Sequence, residues 1–160
     1  MTPRESAQGW LRQAQTDLVH AQWSLRAGHL DWACLAAHQA AERALKGLVL
    51  ESGHRPLSTN NPALLAVDLI ELGVLGDDDV VTLGDLESLA TVARQARDPE
   101  HALPSNDNSA HDSRAAALVA QTEKVVALVS AAVGATSRGG ASVPGEGGTV
   151  LPFPQAPLHA

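Results

Sequence analysis

The chain has 160 residues, which is enough for one domain with an apolar core and leaves little room for a second folded domain. Aromatic residues make up only 2% of it while Ala and Leu abound, a balance that favours packed helices over strands. The formal net charge of -7 argues against non-specific binding of nucleic acid, and a single cysteine excludes an internal disulfide.

The first predicted helix runs from about Glu5 to Ala27 and ends at Gly28. Its apolar residues recur at steps of three and four, which places them on one face of a helix. This face consists of Leu11, Ala14, Leu18, Ala21 and Leu25. We expect this face to be buried.

The second predicted helix begins at Asp31, which is a suitable N-terminal cap, and stops at Gly53. Its apolar face is rich in alanine, and small side chains allow a neighbouring helix to approach closely. That face comprises Leu35, Ala36, Ala40, Ala44, Leu45, Leu48 and Val49. The short turn before Asp31 predicts that the first two helices lie antiparallel.

A short third helix is predicted from Asn61 and Pro62 to about Leu72, because Asn is a good cap and proline favours the first turn. A fourth helix is predicted to start at the acidic residues 77–79, whose charge suits the positive end of the helix dipole, and to stop by Pro99 at the latest. Its predicted buried face is Val80, Leu83, Leu86, Ala90 and Ala93.

After a predicted loop over residues 103–109, a fifth helix is marked by apolar residues from Ala115 to Val129 and ends near Gly134. The remaining residues are rich in Gly and Pro and are predicted to form a flexible tail. We therefore predict an all-α fold, an up-and-down four-helix bundle with one additional short helix, in residues 1–134, followed by a tail in residues 135–160.

The histidines and the single cysteine do not show the spacing of a metal site, so no metal or other cofactor is expected. Cys34 stands among apolar neighbours and is interpreted as a buried core residue and not as a nucleophile. With no leader peptide and no apolar run judged long enough to cross a membrane, we expect a cytoplasmic protein that does not contact a membrane.

The most distinctive segment is residues 28–50, GHLDWACLAAHQAAERALKGLVL. Its run from Gln39 to Lys46 resembles the signature helix of the HEPN family, in which Gln-Ala-Ala-Glu is followed by Lys or Arg and then Ala-Leu-Lys. Trp10 and Asp17 are similar to the first helix of that family, and residues 97–100, RDPE, stand where it commonly has Arg-Tyr-Pro-Asp. The resemblance covers roughly residues 8 to 133. Two departures are Asn60 or Asn61 in place of a family histidine, and Asp98 in place of an aromatic residue.

Gln39, Glu42 and Lys46 are the first candidate site, a nucleotide-binding or polar groove on the second helix. Glu42 and Lys46 are one turn apart, so they form either a structural ion pair or a polar patch that faces a ligand. Arg43 is interpreted as structural. Neither interpretation makes these residues catalytic.

Arg94, Arg97 and His101 are the second candidate site. Ribonucleases of the HEPN superfamily resemble one another in an Arg followed after four to six residues by His, with two subunits contributing to one cleft. The resemblance implies that Arg would stabilise the phosphorane and that His would transfer protons. The competing interpretation is local pairing of Arg97 with Asp98 and a solvated His101. Only three residues separate Arg97 from His101, and six separate Arg94 from it.

The resemblance implies a homodimer and a binding module that acts with a nucleotidyltransferase protein in a toxin-antitoxin or nucleotide-linked system. The alternative function is a metal-independent ribonuclease toxin that acts on RNA through the Arg/His pair at a dimer cleft. Trp23 lies off the apolar face of the first helix, so it is predicted to contact either a partner or the bundle core.

Overall fold

Six helices account for the secondary structure of residues 2–98, 100 and 109–139, the part of the chain that the computed structural model describes. No strand occurs in this part of the chain. The helices are α1 Pro3–Arg26, α2 Leu30–Glu51, α3 Pro62–Glu71, α4 Asp77–Leu83, α5 Leu86–Ala96 and α6 Ser109–Gly139. The predicted all-α bundle is confirmed. Helix α2 is central, since it packs against α1, α3, α5 and α6.

Helices α1 and α2 form an antiparallel hairpin around a very short turn. Gly28 adopts a φ of 77°, a left-handed conformation that only glycine adopts without strain, and α2 begins two residues later. The predicted cap was therefore wrong: the N-cap is His29, whose side chain makes no capping hydrogen bond, and Asp31 lies in the first turn of the helix. The tight turn leaves no room for Asp31 to precede the helix.

The contact between α1 and α2 is close because small residues line it. A Cβ atom added to Gly47 would lie 3.2 Å from the carbonyl oxygen of Ala7 and 3.3 Å from the Cβ of Trp10. On α1 the predicted apolar face packs on the core, with Leu18 and Leu25 partly buried. This close packing fixes which side chains of α1 and α2 remain outside the core.

The predicted fourth helix is in fact two helices, α4 and α5. Gly84 breaks it with a φ of 65°, and Asp85 then caps α5 by accepting a hydrogen bond of 2.9 Å from the backbone N–H of Ser88. The side chain of Gln121 on α6 donates a 2.8 Å hydrogen bond to the carbonyl of Leu83, which satisfies the end of α4. Val80 on α4, which was predicted to be a core residue, is exposed.

Helix α6 continues to Gly139, further than the predicted end near Gly134. Residues 140–160, most of the predicted tail, lie outside the described residues, so its flexibility stays a prediction. Residues 110–136 are long and apolar enough to cross a membrane by composition alone, contrary to the sequence interpretation. However, Val125 and Val129 of this helix are fully buried in the core of the bundle.

Candidate functional site

A cleft of about 410 Å³ opens beside the turn between α1 and α2. Because it is framed by two tryptophans, we call it the tryptophan cleft. Its lining is Asp17, His20, Trp23, Ser24, Trp32, Leu35, Ala36, Gln39 and Arg97. This volume lies within the usual range for small-molecule sites, about 300 to 1,000 Å³.

The tryptophans are unusually exposed for such large apolar side chains. Trp23 exposes 62% of its surface and Trp32 exposes 68%, whereas Trp10 is half-buried. The structure therefore places Trp23 outside the core, which leaves the interpretation of a contact residue. Trp32 was not among the predicted site residues. Its position beside Asp31, off the apolar face of α2, was the signal that could have identified it.

One polar wall of the cleft is held by a pair of charges between the first two helices. Asp17 is buried and pairs with the guanidinium of Arg43, and it also accepts a hydrogen bond of 3.3 Å from Gln13. The structural interpretation of Arg43 fits this contact. The pair fixes the carboxylate of Asp17 at the cleft and joins α1 to α2 at this level of the bundle.

Arg97 brings a positive charge to the same cleft from a distant part of the sequence. It is the C-terminal cap of α5, and its side chain is exposed. Gln39, which is also exposed, lines the cleft from α2. The structure thus brings together one residue from each of the two predicted sites, Gln39 and Arg97, and adds the two tryptophans.

Glu42 and Lys46 do not line this cleft. The ammonium of Lys46 donates a 2.7 Å hydrogen bond to the carboxylate of Glu42, and it lies 5.7 Å from the centre of the Trp10 ring. Both side chains are mostly buried, with 14% and 15% of their surface exposed. A pair that satisfies its own charges and is covered by an aromatic ring matches the structural interpretation.

Of the predicted Arg/His site, the structure describes the two arginines. Arg94 lines a separate depression with Thr91, Gln95 and Asp98, and it donates a 3.3 Å hydrogen bond to the Thr91 hydroxyl. Arg94 and Arg97 therefore serve different surfaces although they are one turn apart. His101 lies outside the described residues, so its role stays a prediction.

A buried histidine lies close to the cleft. His38 on α2 is 3% exposed, and its Nδ1 atom has no hydrogen-bond partner among the described residues. Burial lowers the pKa of His38 below its usual range. Glu42 opposes this pKa shift, the positive charge of Arg97 adds to it, and a hydrogen bond with the backbone of Asn60 opposes it. The neutral imidazole is thus the form that the fold accommodates.

We predict that His38 makes the protein less stable in mild acid. The unfolded chain binds a proton on this histidine near pH 6.5, but the folded chain resists it, so the free energy of unfolding falls as the pH drops below that value. His38→Gln should remove this part of the pH dependence between about pH 7 and 5, measured by urea denaturation. His20→Gln, at an exposed position, should retain it. If the free energy of unfolding changed with pH equally in the wild type and in His38→Gln, the prediction would be contradicted.

Cys34 is fully buried, and burial raises the pKa of its thiol to about 11. A thiol with such a pKa is protonated at neutral pH and is a poor nucleophile, so the predicted core role is confirmed. Among the described residues, no group of three His, Cys, Asp or Glu side chains is placed to hold a metal ion.

Comparison with known families agrees with this architecture. The HEPN domain matches residues 7–132, which is most of the chain. This chain belongs to the HEPN family. The HEPN match begins within α1 and ends within α6, so it includes every residue that lines the tryptophan cleft.

Two solved structures are similar to this HEPN chain. TT1696 from Thermus thermophilus is 34% identical, with a TM-score of 0.63, and the match covers 79% of this chain and 97% of TT1696. ST0689, described as an archaeal HEPN homologue, is 18% identical with a TM-score of 0.55 and the same two coverages, which supports the fold alone. A comparison with curated proteins gave no match.

Proposed function

We propose that this HEPN chain is a binding module and that its tryptophan cleft binds a nucleotide. One observation carries the proposal: two exposed tryptophans on adjacent helices flank a cleft that also contains an exposed arginine. Indole rings offer flat apolar faces on which a nucleobase stacks, and a guanidinium pairs well with phosphate. Exposed Trp23 and Trp32 do not contribute to the core, so their placement favours a contact function.

The charges of the cleft favour a small nucleotide over a long nucleic acid. Arg97 is the single Lys or Arg in the lining, and Asp17 and the net charge of -7 oppose an extended phosphate backbone. Gln39 can donate to and accept from the edge of a base. The nucleotide site is therefore proposed at this cleft, while the mutual pairing of Glu42 with Lys46 leaves the groove beside them without free charges for a ligand.

The proposal predicts that AMP binds more tightly than adenosine and that Arg97 accounts for the difference. Arg97→Gln should weaken AMP binding by about tenfold, as expected for the loss of a charged hydrogen bond of about 1.5 kcal/mol, and should leave adenosine binding unchanged. Isothermal titration calorimetry measures both. Arg94→Gln is the matched control, because Arg94 faces a different depression and should not affect AMP binding.

Equal AMP affinity in the wild type and in Arg97→Gln would contradict the phosphate contact. Absence of heat and of thermal stabilisation at millimolar AMP, ADP and ATP would contradict nucleotide binding altogether, because a ligand that binds the folded state must stabilise it by mass action.

We also propose that the protein is a cytoplasmic homodimer that acts with a nucleotidyltransferase in a toxin-antitoxin or nucleotide-linked system. The resemblance of the Gln39–Lys46 run supports this, and the exposed Trp23 offers a contact surface. The test is co-expression with the product of a neighbouring nucleotidyltransferase gene, followed by light scattering on the purified material. A dimer that co-purifies with this product is expected, whereas a monomer with no co-purifying protein would count against the proposal.

A metal-independent ribonuclease is the second candidate, favoured by the position of Arg97 in an open cleft. In that reaction the ribose 2′-hydroxyl attacks phosphorus, the 5′-oxygen leaves, Arg97 stabilises the phosphorane and His101 transfers protons. The protein should then cleave RNA in EDTA, and Arg97→Ala and His101→Ala should abolish cleavage while Arg94→Ala retains it. Intact RNA after prolonged incubation with concentrated protein would exclude this candidate.

A further inference from the structure

We propose that the outer face of α3 and α4 is a docking surface for a basic amphipathic helix of a partner protein. We call this surface the α3–α4 face. An apolar groove of about 250 Å³ runs along it, lined by residues that include Ala63, Val67, Ile70, Val80 and Leu83. Its lining shares no residue with that of the tryptophan cleft, so it is a separate surface from the proposed nucleotide site.

The α3–α4 face is apolar where a solvent-facing surface is normally polar. Helix α3 buries Leu65, Ala66 and Leu69 toward the core, yet its opposite side also carries exposed apolar side chains. Together with α4 these exposed residues are Leu64, Val67, Ile70, Val80 and Val81. Of these, Val67, Ile70 and Val80 line the same groove. A contiguous exposed apolar patch marks an interaction surface.

The part of the chain that contains α3 and α4 carries a concentrated negative charge. Between Pro56 and Ala93 there are seven carboxylates and no Lys, Arg or His. In the rest of the chain the eleven remaining acidic residues balance the eleven Lys and Arg, so this segment accounts for the entire formal net charge of -7. Two of these carboxylates, Asp85 and Glu87, line the apolar groove itself. The other five lie on α3 and α4, at Asp68, Glu71 and residues 77–79.

Charge complementarity identifies the kind of occupant. A second copy that presented the same face would place carboxylates against carboxylates, which is repulsive, and the acidic segment also repels anionic lipid and nucleic acid. Residues 140–160 of the chain itself contain no Lys or Arg and so offer no matching charge. A partner helix with an apolar stripe at steps of three and four, flanked by Lys or Arg, satisfies both features of the face.

The test uses a fluorescein-labelled synthetic helix of about 18 residues with leucines on one face and lysines elsewhere, a length at which an isolated helix can form. Fluorescence anisotropy should show saturable binding to the full chain that weakens as salt is raised. A peptide of the same composition, scrambled so that its leucines no longer share a face, should bind about tenfold more weakly or worse. A peptide with Glu in place of Lys should not bind.

Two pairs of variants locate the site. Val67→Ser with Ile70→Ser removes exposed apolar surface from the groove, and Asp68→Asn with Glu87→Gln removes one carboxylate of α3 and one of the groove lining. Each pair should weaken binding of the amphipathic peptide about tenfold. Val19→Ser on α1 is the matched control at an exposed valine, and it should change nothing. AMP binding should be unaffected in all of these variants. A failure of the docking proposal can therefore be distinguished from a failure of the nucleotide proposal.

Three results would overturn the proposal. Equal binding of the ordered and scrambled peptides would show charge attraction without a groove. If Val19→Ser weakened peptide binding as much as Val67→Ser with Ile70→Ser, the peptide would not be specific to the α3–α4 face. Concentration-dependent self-association of the chain that Val67→Ser with Ile70→Ser abolishes would show that a second copy covers the face.

Discussion

Replacing Trp23 and Trp32 together by alanine is expected to reduce AMP affinity by about 5- to 150-fold, because base stacking on aromatic side chains contributes about 1–3 kcal/mol. The fold should tolerate the change, since both side chains are mostly exposed and neither belongs to the hydrophobic core. Calorimetric titration gives the affinity, and urea denaturation gives the free energy of unfolding of the same variant.

Trp10→Phe is the matched control for the tryptophan variant. The Trp10 ring lies beneath the ammonium of Lys46 and does not line the cleft, so its replacement should leave AMP affinity unchanged. Light scattering must accompany the titration, because Trp23 is also proposed to contact a partner. If the double variant turned from dimer to monomer but bound AMP as before, the tryptophans would belong to a subunit interface and not to a nucleotide site.

Gly47→Leu is expected to lower the free energy of unfolding by about 1–3 kcal/mol or more, the usual cost of adding side-chain volume to a packed core. The Cβ of a residue at position 47 would by itself lie 3.2 Å from the carbonyl oxygen of Ala7, a backbone atom that cannot rotate away. The remaining atoms of leucine would force α1 and α2 apart. Denaturant unfolding monitored by circular dichroism measures the effect.

Gly134→Ala is the control for this prediction. Gly134 also lies inside a helix, but nothing lies within 4 Å of a Cβ added there. The substitution should therefore raise stability by up to about 1 kcal/mol through helix propensity alone. A Gly47→Leu variant as stable as the wild type would contradict the close packing of α1 against α2.

Much of the fold could be predicted because its helices carry regular apolar faces. Leu11, Ala14 and Ala21 are buried as their spacing indicated, and Asn61 caps α3 through a 2.9 Å hydrogen bond from the backbone of Ala63. The break at Gly84 was missed because Leu83 and Leu86 are both buried and keep a helical spacing across it. The positive φ of Gly84 and the contact of Leu83 with Gln121 mark the end of α4.

The candidate site was harder to predict because it depends on residues far apart in the sequence. Gln39 and Arg97 were assigned to different sites, since nothing in the chain indicates that the end of α5 lies beside the start of α2. The Glu42–Lys46 pair, in contrast, is local, and helix geometry made it one of the two interpretations that the sequence left open. Trp32 was not assigned to a site because the sequence left both a core role and an interface role open for it.

The most direct test of the tryptophan cleft follows the indole N–H signals of this chain, which has three tryptophans, in a two-dimensional ¹H–¹⁵N NMR spectrum during titration with AMP. We predict that the signals of Trp23 and Trp32 shift in a saturable manner, with the affinity measured by calorimetry, while that of Trp10 stays in place. Unchanged signals of Trp23 and Trp32 at saturating AMP, or a shift confined to Trp10, would contradict the assignment of the cleft as a nucleotide site.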